Sequence, residues 1–420
     1  MVMMLLKINE QNKLKVVKYK WINKKNDKRR QHYVPKFYLR NFSENNKSVG
    51  IYLFKKNKII EHGSINDNLW AEYFYGEDAV IENKLAEHDG RWNDTISSII
   101  NTERLPDTER DLTWLRYFIL ISSARTLKRG NQTNNDYTTL IKKVLEVEEP
   151  ALFKRIMNAG EDRLFVKMKY PALPFINVAQ QFVPLVIDLK MELLINRSTI
   201  DYVTSDNPTV FYNQLFQEKN LSRGFGWGES GIQFIVPISP RIAICMYDSE
   251  VYDIKENILN SNSTINKLNE LFLNNADELI VFIYDGDAKE KSEKLSYIDR
   301  LVKRRGDPSV QDDDCHMITF SNKQTVGKNY LSDIFEIKQK YKEMRISNHS
   351  KEEIEQKLNI EMEKLVAKLQ AMTEDERQAL LESKKVELIG VEFNDMERPW
   401  VKFYEKYKAE IMTLFEFTKK

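Results

Sequence analysis

Two periodicities alternate along this chain. From Glu77, the positions Ile81, Leu85, His88, Trp92, Ile96 and Ile99 follow steps of three and four, which predicts a helix with one apolar face. Pro106 ends that run, and Thr108 with Asp111 three places on predicts the cap of a second helix. The second helix carries Leu112, Leu115, Phe118, Ile119 and Ser122, and Gly130 is expected to stop it. Residues 131–171 predict shorter helices interrupted at Pro150 and Gly160, and Ala179 to Asn196 a helix kinked or started late by Pro184. Short β-branched and aromatic runs bounded by turn residues predict strands. These are Ile51–Phe54 with Ile59–Ile60, then Ile200–Thr204, Thr209–Phe211, Gln233–Val236, Ile242–Met246 and Glu278–Tyr284, with a helix over Ser263–Asn275 before the last. Helical spacing returns after Tyr330, where Ile354, Leu358, Met362, Leu365, Leu369 and Met372 form a seam. No internal repeat is visible. The order implies an α+β fold: a helical N-terminal half, a mixed or antiparallel sheet in the middle and a helical C-terminal extension. The expected divisions are an arm over 1–28, a core domain over 29–330 and the extension over 331–420.

Charge changes this picture in one place. The 420 residues hold 64 Lys plus Arg and 63 Asp plus Glu, a formal net charge of +1. Residues 1–40 alone carry 12 basic and two acidic residues, a net of +10, which leaves a net of −9 on the rest. Within that arm, Lys13 to Lys20 alternates basic and apolar residues, which suits an exposed strand or a binding segment. An arm of this kind favours nucleic acid or another polyanion as partner, bound through residues 13–40. Two cysteines, Cys245 and Cys315, are too few for a disulfide framework or an all-cysteine zinc site, so a reducing cytoplasmic setting is expected. Met1 to Leu6 is apolar but shorter than a signal peptide's core, and no stretch approaches the ~20 apolar residues of a membrane helix. No membrane partner is expected.

Residues 29–42 read Arg-Arg-Gln-His-Tyr-Val-Pro-Lys-Phe-Tyr-Leu-Arg-Asn-Phe. This resembles the opening signature, His-Tyr-Val-Pro-x-x-Tyr-Leu-x-x-Phe, of a bacterial family known as domain of unknown function 4238. Further matches follow in the family's order. Ser123-Ala-Arg-Thr126 resembles its helical Arg-Thr element, Thr204-Ser-Asp-Asn-Pro208 its Ser-Asp-x-Pro element, Val236-Pro-Ile-Ser-Pro240 its Pro-Leu-Ser-Pro turn, and Lys267-Leu-Asn269 a later Leu-Asn. The resemblance runs over about residues 29–285. A helical His that members often carry before the Ser-Asp element is absent at Ala179-Gln-Gln181. The family implies no activity, so the chemistry rests on the residues.

His32 is the first candidate, as general base, metal ligand or phosphate contact. Pro35 restrains the backbone beside it, and a neutral-range imidazole suits all three roles. The plain alternative is a turn-capping His packed among aromatic residues. Arg125 is the second. It continues an apolar stripe with Arg129, and a charge there needs an acidic partner or an anion such as phosphate. Asp206 is the third, a carboxylate at a strand end that fits a metal ligand or base, although Ser-Asp-Asn-Pro also suits any tight turn. Arg129, Asn207, Arg30, Lys28 and Tyr33 are the expected substrate contacts, and Asp206 with His32 the expected ligands of a divalent metal. His88, on an apolar stripe, fits a core His better than a ligand. Asp312 to His316 is an acidic loop more than a metal motif, because consecutive residues rarely converge on one ion. Gly224-Phe-Gly-Trp-Gly228 is read as a mobile loop beside the site, a candidate lid.

The common phosphate-loop, dinucleotide, nucleophile-elbow and zinc-protease signatures are absent from the sequence. What remains is a metal-dependent phosphodiesterase or nuclease acting on nucleic acid or a nucleotide, for which bacterial defence or toxicity would be a fitting setting. The competing class is a non-catalytic sensor or adaptor that binds an anion or nucleic acid. Its seam at residues 350–372 would serve self-association or a protein partner.

Overall fold

The computed structural model describes residues 29–306, apart from 77–78, 159, 161–163, 167, 169 and 222–224. It also describes 329–344, the backbone of 6–8 and 14–16, and the single residues Ala367, Thr373, Arg398 and Val401. In chain order the elements begin with β1 (Leu6–Ile8) and β2 (Leu14–Val16), an antiparallel pair. β3 (Arg30–His32), α1 (Lys36–Arg40), β4 (Ser48–Leu53), β5 (Lys58–Ser64) and β6 (Trp70–Glu72) follow. A helical stretch comes next: α2 (Val80–Thr102), α3 (Glu109–Ala124), α4 (Leu127–Glu148), α5 (Pro150–Asn158) and α6 (Leu173–Gln181). Then come β7 (Lys190–Asn196), β8 (Thr204–Ser205), β9 (Val210–Tyr212), α7 (Gln214–Glu218), β10 (Gln233–Pro237), β11 (Ile242–Tyr247), β12 (Tyr252–Ile254) and β13 (Ile258–Leu259). α8 (Asn262–Asn275), β14 (Leu279–Phe282), α9 (Ala288–Val302), β15 (Phe335–Ile337) and α10 (Gln339–Glu343) follow among the described residues.

The fold is α+β. Two sheets carry the core: one of five strands in the order β13-β7-β11-β10-β9, and one of four in the order β5-β4-β14-β8. All their pairs are antiparallel except β13 with β7. Every residue of β10, β11 and β14 is buried, which explains why these strands appear in the sequence as continuous apolar runs without alternation. α2 buries Leu85, Trp92, Ile96 and Ile99, the face expected from its spacing, and Thr108 caps α3 by accepting from the Asp111 N–H. Among the described residues no helix is long and apolar enough to cross a membrane.

Three segments differ from the sequence reading. Lys190–Asn196, expected to continue a helix, is strand β7. Its Met-Glu-Leu-Leu-Ile run fits either period, and pairing with β11, from Ile242 opposite Ile195 to Tyr247 opposite Lys190, decides it. Gly130 does not end α3. The break comes five residues earlier at Arg125, and Thr126 caps a new helix by accepting from the Arg129 N–H. Gly130 sits in the first turn of α4, where a Cβ would lie 3.3 Å from Pro171. Finally, the aromatic residues of the glycine-rich loop are core. Trp227 is 2% exposed and stacks on Phe211 at 5.7 Å, so the described part of this loop packs into the core. Beyond residue 330, β15 pairs with β12, and Leu331, Ile334, Phe335 and Ile337 join the core. The seam residues Ile354 to Met372 lie outside the described residues.

One side chain ties the sheets together. The Tyr38 hydroxyl, on α1, donates to the Pro237 carbonyl of β10 and lies 2.6 Å from the Thr204 hydroxyl of β8. The carbonyl can only accept, so Thr204 donates to Tyr38. Tyr38→Phe leaves both partners unsatisfied in the core, and should cost ~1–3 kcal/mol, read as a lower midpoint of chemical denaturation at unchanged slope.

Candidate functional site

The N-terminal signature builds one wall of a cavity of about 350 Å³ between α1 and α2. β3 pairs with β6, which sets His32 opposite Trp70. The fully buried Gln31 clamps the turn after β6, donating to the Gly76 carbonyl at 2.8 Å and accepting from the Tyr75 N–H at 2.6 Å. The Tyr75 hydroxyl then donates to the His32 carbonyl at 3.1 Å. His32 is therefore held at three points, by its strand, its carbonyl and its ring.

The ring contact defines its chemistry. His32 Nε2 lies 3.2 Å from the Ile65 carbonyl, which can only accept, so Nε2 carries the proton and Nδ1 keeps a lone pair in the neutral ring. The ring is neutral at pH 7. Burial, then the charges of Lys36 and Arg30, push its pKa down to about 4 against the opposing pull of the Ile65 carbonyl.

Pro35 precedes α1 in extended geometry and starts the helix. Phe37, Tyr38 and Leu39 turn inward, whereas Lys36 and Arg40, four residues apart on one helical face, both line the cavity. Neither forms an ion pair among the described residues; Asp67 lies near enough to Lys36 to feel its charge, and Glu82 and Asp89 are the carboxylates of the cavity itself.

Arg125 closes the far side. Its guanidinium is 1% exposed, pairs with Asp89 of α2 at 2.9 Å and lies 5.8 Å from the centre of the Trp92 ring. Burial opposes its charge, but Asp89, Tyr75 and Glu82 outweigh it and raise the pKa above the ordinary Arg value. Its Nε has no hydrogen-bond partner. Glu82, Asp89 and Asn93 of α2 face the same cavity.

The structure thus brings His32 and Arg125 to one cavity and places the other described candidates elsewhere. Asp206 is 2% exposed and accepts from the Asp277 and Glu278 N–H groups at 2.9 and 2.7 Å, joining β8 to the turn before β14. Burial pushes its pKa up to about 7, against those two hydrogen bonds. Asn207 donates to the Asn275 carbonyl at 3.0 Å, in the same connection. Arg129 lies buried 5.4 Å from the ring centre of Phe175 and 5.8 Å from that of Phe211; burial lowers its pKa to about 10. The helix break at Arg125 separates it from the stripe that the sequence suggested. Arg30 pairs with Asp67 at 2.7 Å on the surface, and Tyr33 is buried against Phe74. Lys28 lies outside the described residues, as does Asp312–His316. His88 packs edge-on against Trp92, Trp114 and Tyr117. Among the described residues no three of His, Cys, Asp and Glu gather as a metal-binding group.

Sequence reasoning passed over Lys36 and Arg40, which occupy unspecified positions of the signature. Their signal was the four-residue spacing of two basic residues just after a proline.

The model of a family described as protein of unknown function (DUF4238) matches residues 30–285. The chain belongs to this family. The match starts on β3 at the cavity wall and ends just past β14, so it takes in the cavity and both large sheets. No curated protein and no solved structure matches the chain. Family membership also gives the motifs a common meaning. Tyr38, Thr204 and Pro237 belong to three of them and meet at one hydroxyl, while Asn269, from a fourth, accepts from the Val203 N–H and donates to the Asp201 carbonyl.

Two outcomes follow for stability. The folded-state pKa of His32 lies below its unfolded value of about 6.5, so its contribution is present above pH 6.5 and is lost as pH falls towards 4. Melting temperatures of wild type and His32→Asn should diverge over that window, the variant showing the shallower acid slope. Asp89→Ala strands the Arg125 charge in the interior and should cost ~3 kcal/mol in denaturant unfolding, more than a surface ion pair would.

Proposed function

We propose that this protein hydrolyses phosphate esters of nucleotides or nucleic acid, with the cavity between α1 and α2 as its active site. The reading rests on one observation: a neutral imidazole with its Nε2 proton fixed on Ile65 shares a cavity with Lys36 and Arg40, two cations held in no ion pair among the described residues. Lys36 and Arg40 bind the phosphate oxygens, and Arg125, its charge matched by Asp89, forms a rigid wall. His32 takes a proton from the attacking water or hydroxyl through Nδ1. The new P–O bond forms as the ester P–O bond breaks, and the leaving oxygen is protonated from solvent.

The depressed pKa of His32 fits this role once substrate is present. Lys36 is one cause of the depression, and a phosphate bound to Lys36 offsets that charge and raises the imidazole towards neutrality. The arm over residues 13–28 would add salt-sensitive affinity for a polynucleotide. The same cavity would serve a sensor that binds the anion without turning it over. The Lys36 and Arg40 cations favour that second reading as much as the first, and only His32 argues for chemistry.

The test is phosphate or nucleotide release from mononucleotides, dinucleotides, RNA and single-stranded DNA, with and without Mg²⁺ or Mn²⁺. Wild type should turn over at least one of these, and His32→Ala should lower kcat about 10²–10⁴-fold. Lys36→Ala with Arg40→Ala should act mainly on KM. The acid limb of kcat/KM should fall near pH 4 and that of kcat at higher pH, since the first reports the free enzyme and the second the complex. Binding without turnover would leave the sensor reading in place.

A further inference from the structure

Gly90 is the one cavity-lining residue of α2 whose identity neither backbone nor packing explains. It lies in the interior of a 23-residue helix, where glycine weakens the helix relative to alanine. Its φ is not positive, and a Cβ built on it would meet no atom within 4 Å. Ala86 and Asn93, four residues before and three after, lie on the same helical face and line the same cavity. The helix therefore presents a shallow floor, with side chains reduced to a methyl group and a hydrogen. An amide able to donate and accept stands at one end. Beside it lies the buried Arg125, whose Nε lacks a hydrogen-bond partner.

Inorganic phosphate needs no such floor. Lys36 and Arg40 would hold it alone, yet Phe37, Tyr75 and Leu85 add apolar surface to the walls. The cavity of about 350 Å³ is at the small end of the ~300–1,000 Å³ typical of ligand sites, room for a single nucleotide. Resting on the phosphate-ester reading, we infer that Gly90 is a specificity-determining residue. The ligand is a phosphorylated nucleoside whose flat base lies on α2 over Ala86 and Gly90, with its edge near Asn93 and its phosphate at Lys36 and Arg40. That nucleoside is either a free nucleotide or the end of a single strand.

Calorimetric titration of the full chain tests this with AMP, UMP, ribose 5-phosphate, inorganic phosphate and a single-stranded tetranucleotide. Wild type should bind at least one mononucleotide about tenfold or more tightly than ribose 5-phosphate, the difference being the contact of the base. Gly90→Leu should erase that preference, weakening the mononucleotide at least tenfold while ribose 5-phosphate stays within threefold. Gly90→Ala should melt at or above the wild-type temperature and bind the mononucleotide more weakly, which separates lost space from lost folding. Tetranucleotide binding that is equally sensitive to Gly90→Leu assigns the strand end as the source. Sensitivity of the mononucleotide alone assigns the free nucleotide. The inference is overturned if Gly90→Leu binds the mononucleotide as wild type does, or if wild type binds no mononucleotide more tightly than ribose 5-phosphate. Failure of hydrolysis with this preference intact would overturn the catalytic reading and leave Gly90's role standing.

Discussion

A buried hydroxyl can be kept in a core only where its partners are supplied, and the two-sheet arrangement of this protein turns on one such group. Tyr38 is 1% exposed and reaches β10 through the Pro237 carbonyl and β8 through Thr204. β8 belongs to the four-stranded sheet and β10 to the five-stranded one. The short helix that carries Tyr38 is thereby fixed against both. Its outward face, with Lys36 and Arg40, acquires a defined position opposite α2. That helix forms one wall of the cavity.

The electrostatics of the cavity follow from burial and pairing in different proportions. Arg125 is fully enclosed but has Asp89, and its charge is retained. His32 is only partly enclosed, has a carbonyl in place of a carboxylate, and loses its charge beside Lys36. Asp206 is enclosed with two backbone donors, and burial prevails over them. Three ionisable groups chosen from one set of motifs thus end in three different states. Two of them share a cavity, while the third staples a connection between strand and turn.

Much of this was legible along the chain. The three-four spacing of α2, the Thr108 cap of α3, the span of α8 and the continuous apolar run of β14 are local properties, set by rotation per residue and by turn chemistry. The signature at residues 29–42 marked His32 as held, and the structure shows the holding groups to be Gln31, Tyr75 and Ile65. What could not be read was partnership over distance. β7 has a sequence that either period accepts, and only β11 makes it a strand. The stripe joining Arg125 to Arg129 assumed a continuous helix, and the cap at Thr126 interrupts it. Trp227 lies in a glycine-rich stretch that looks mobile until Phe211 and Phe182 are seen against it.

By itself, then, the sequence determined the α+β class, the helical stretch before the main strands, the family and the segment from which a site would come. These depend on neighbours a few residues away, which periodicity and motif spacing record. Which candidates would share one cavity was decided only by the tertiary structure. His32 and Arg125 are 93 residues apart, and Arg125 and Asp206 are 81 apart. Their meeting depends on how sheets and helices pack, and no local pattern encodes that. The same holds for Lys36 and Arg40: two basic residues of a short helix line a cavity only because α2 and the buried Arg125 stand across from them.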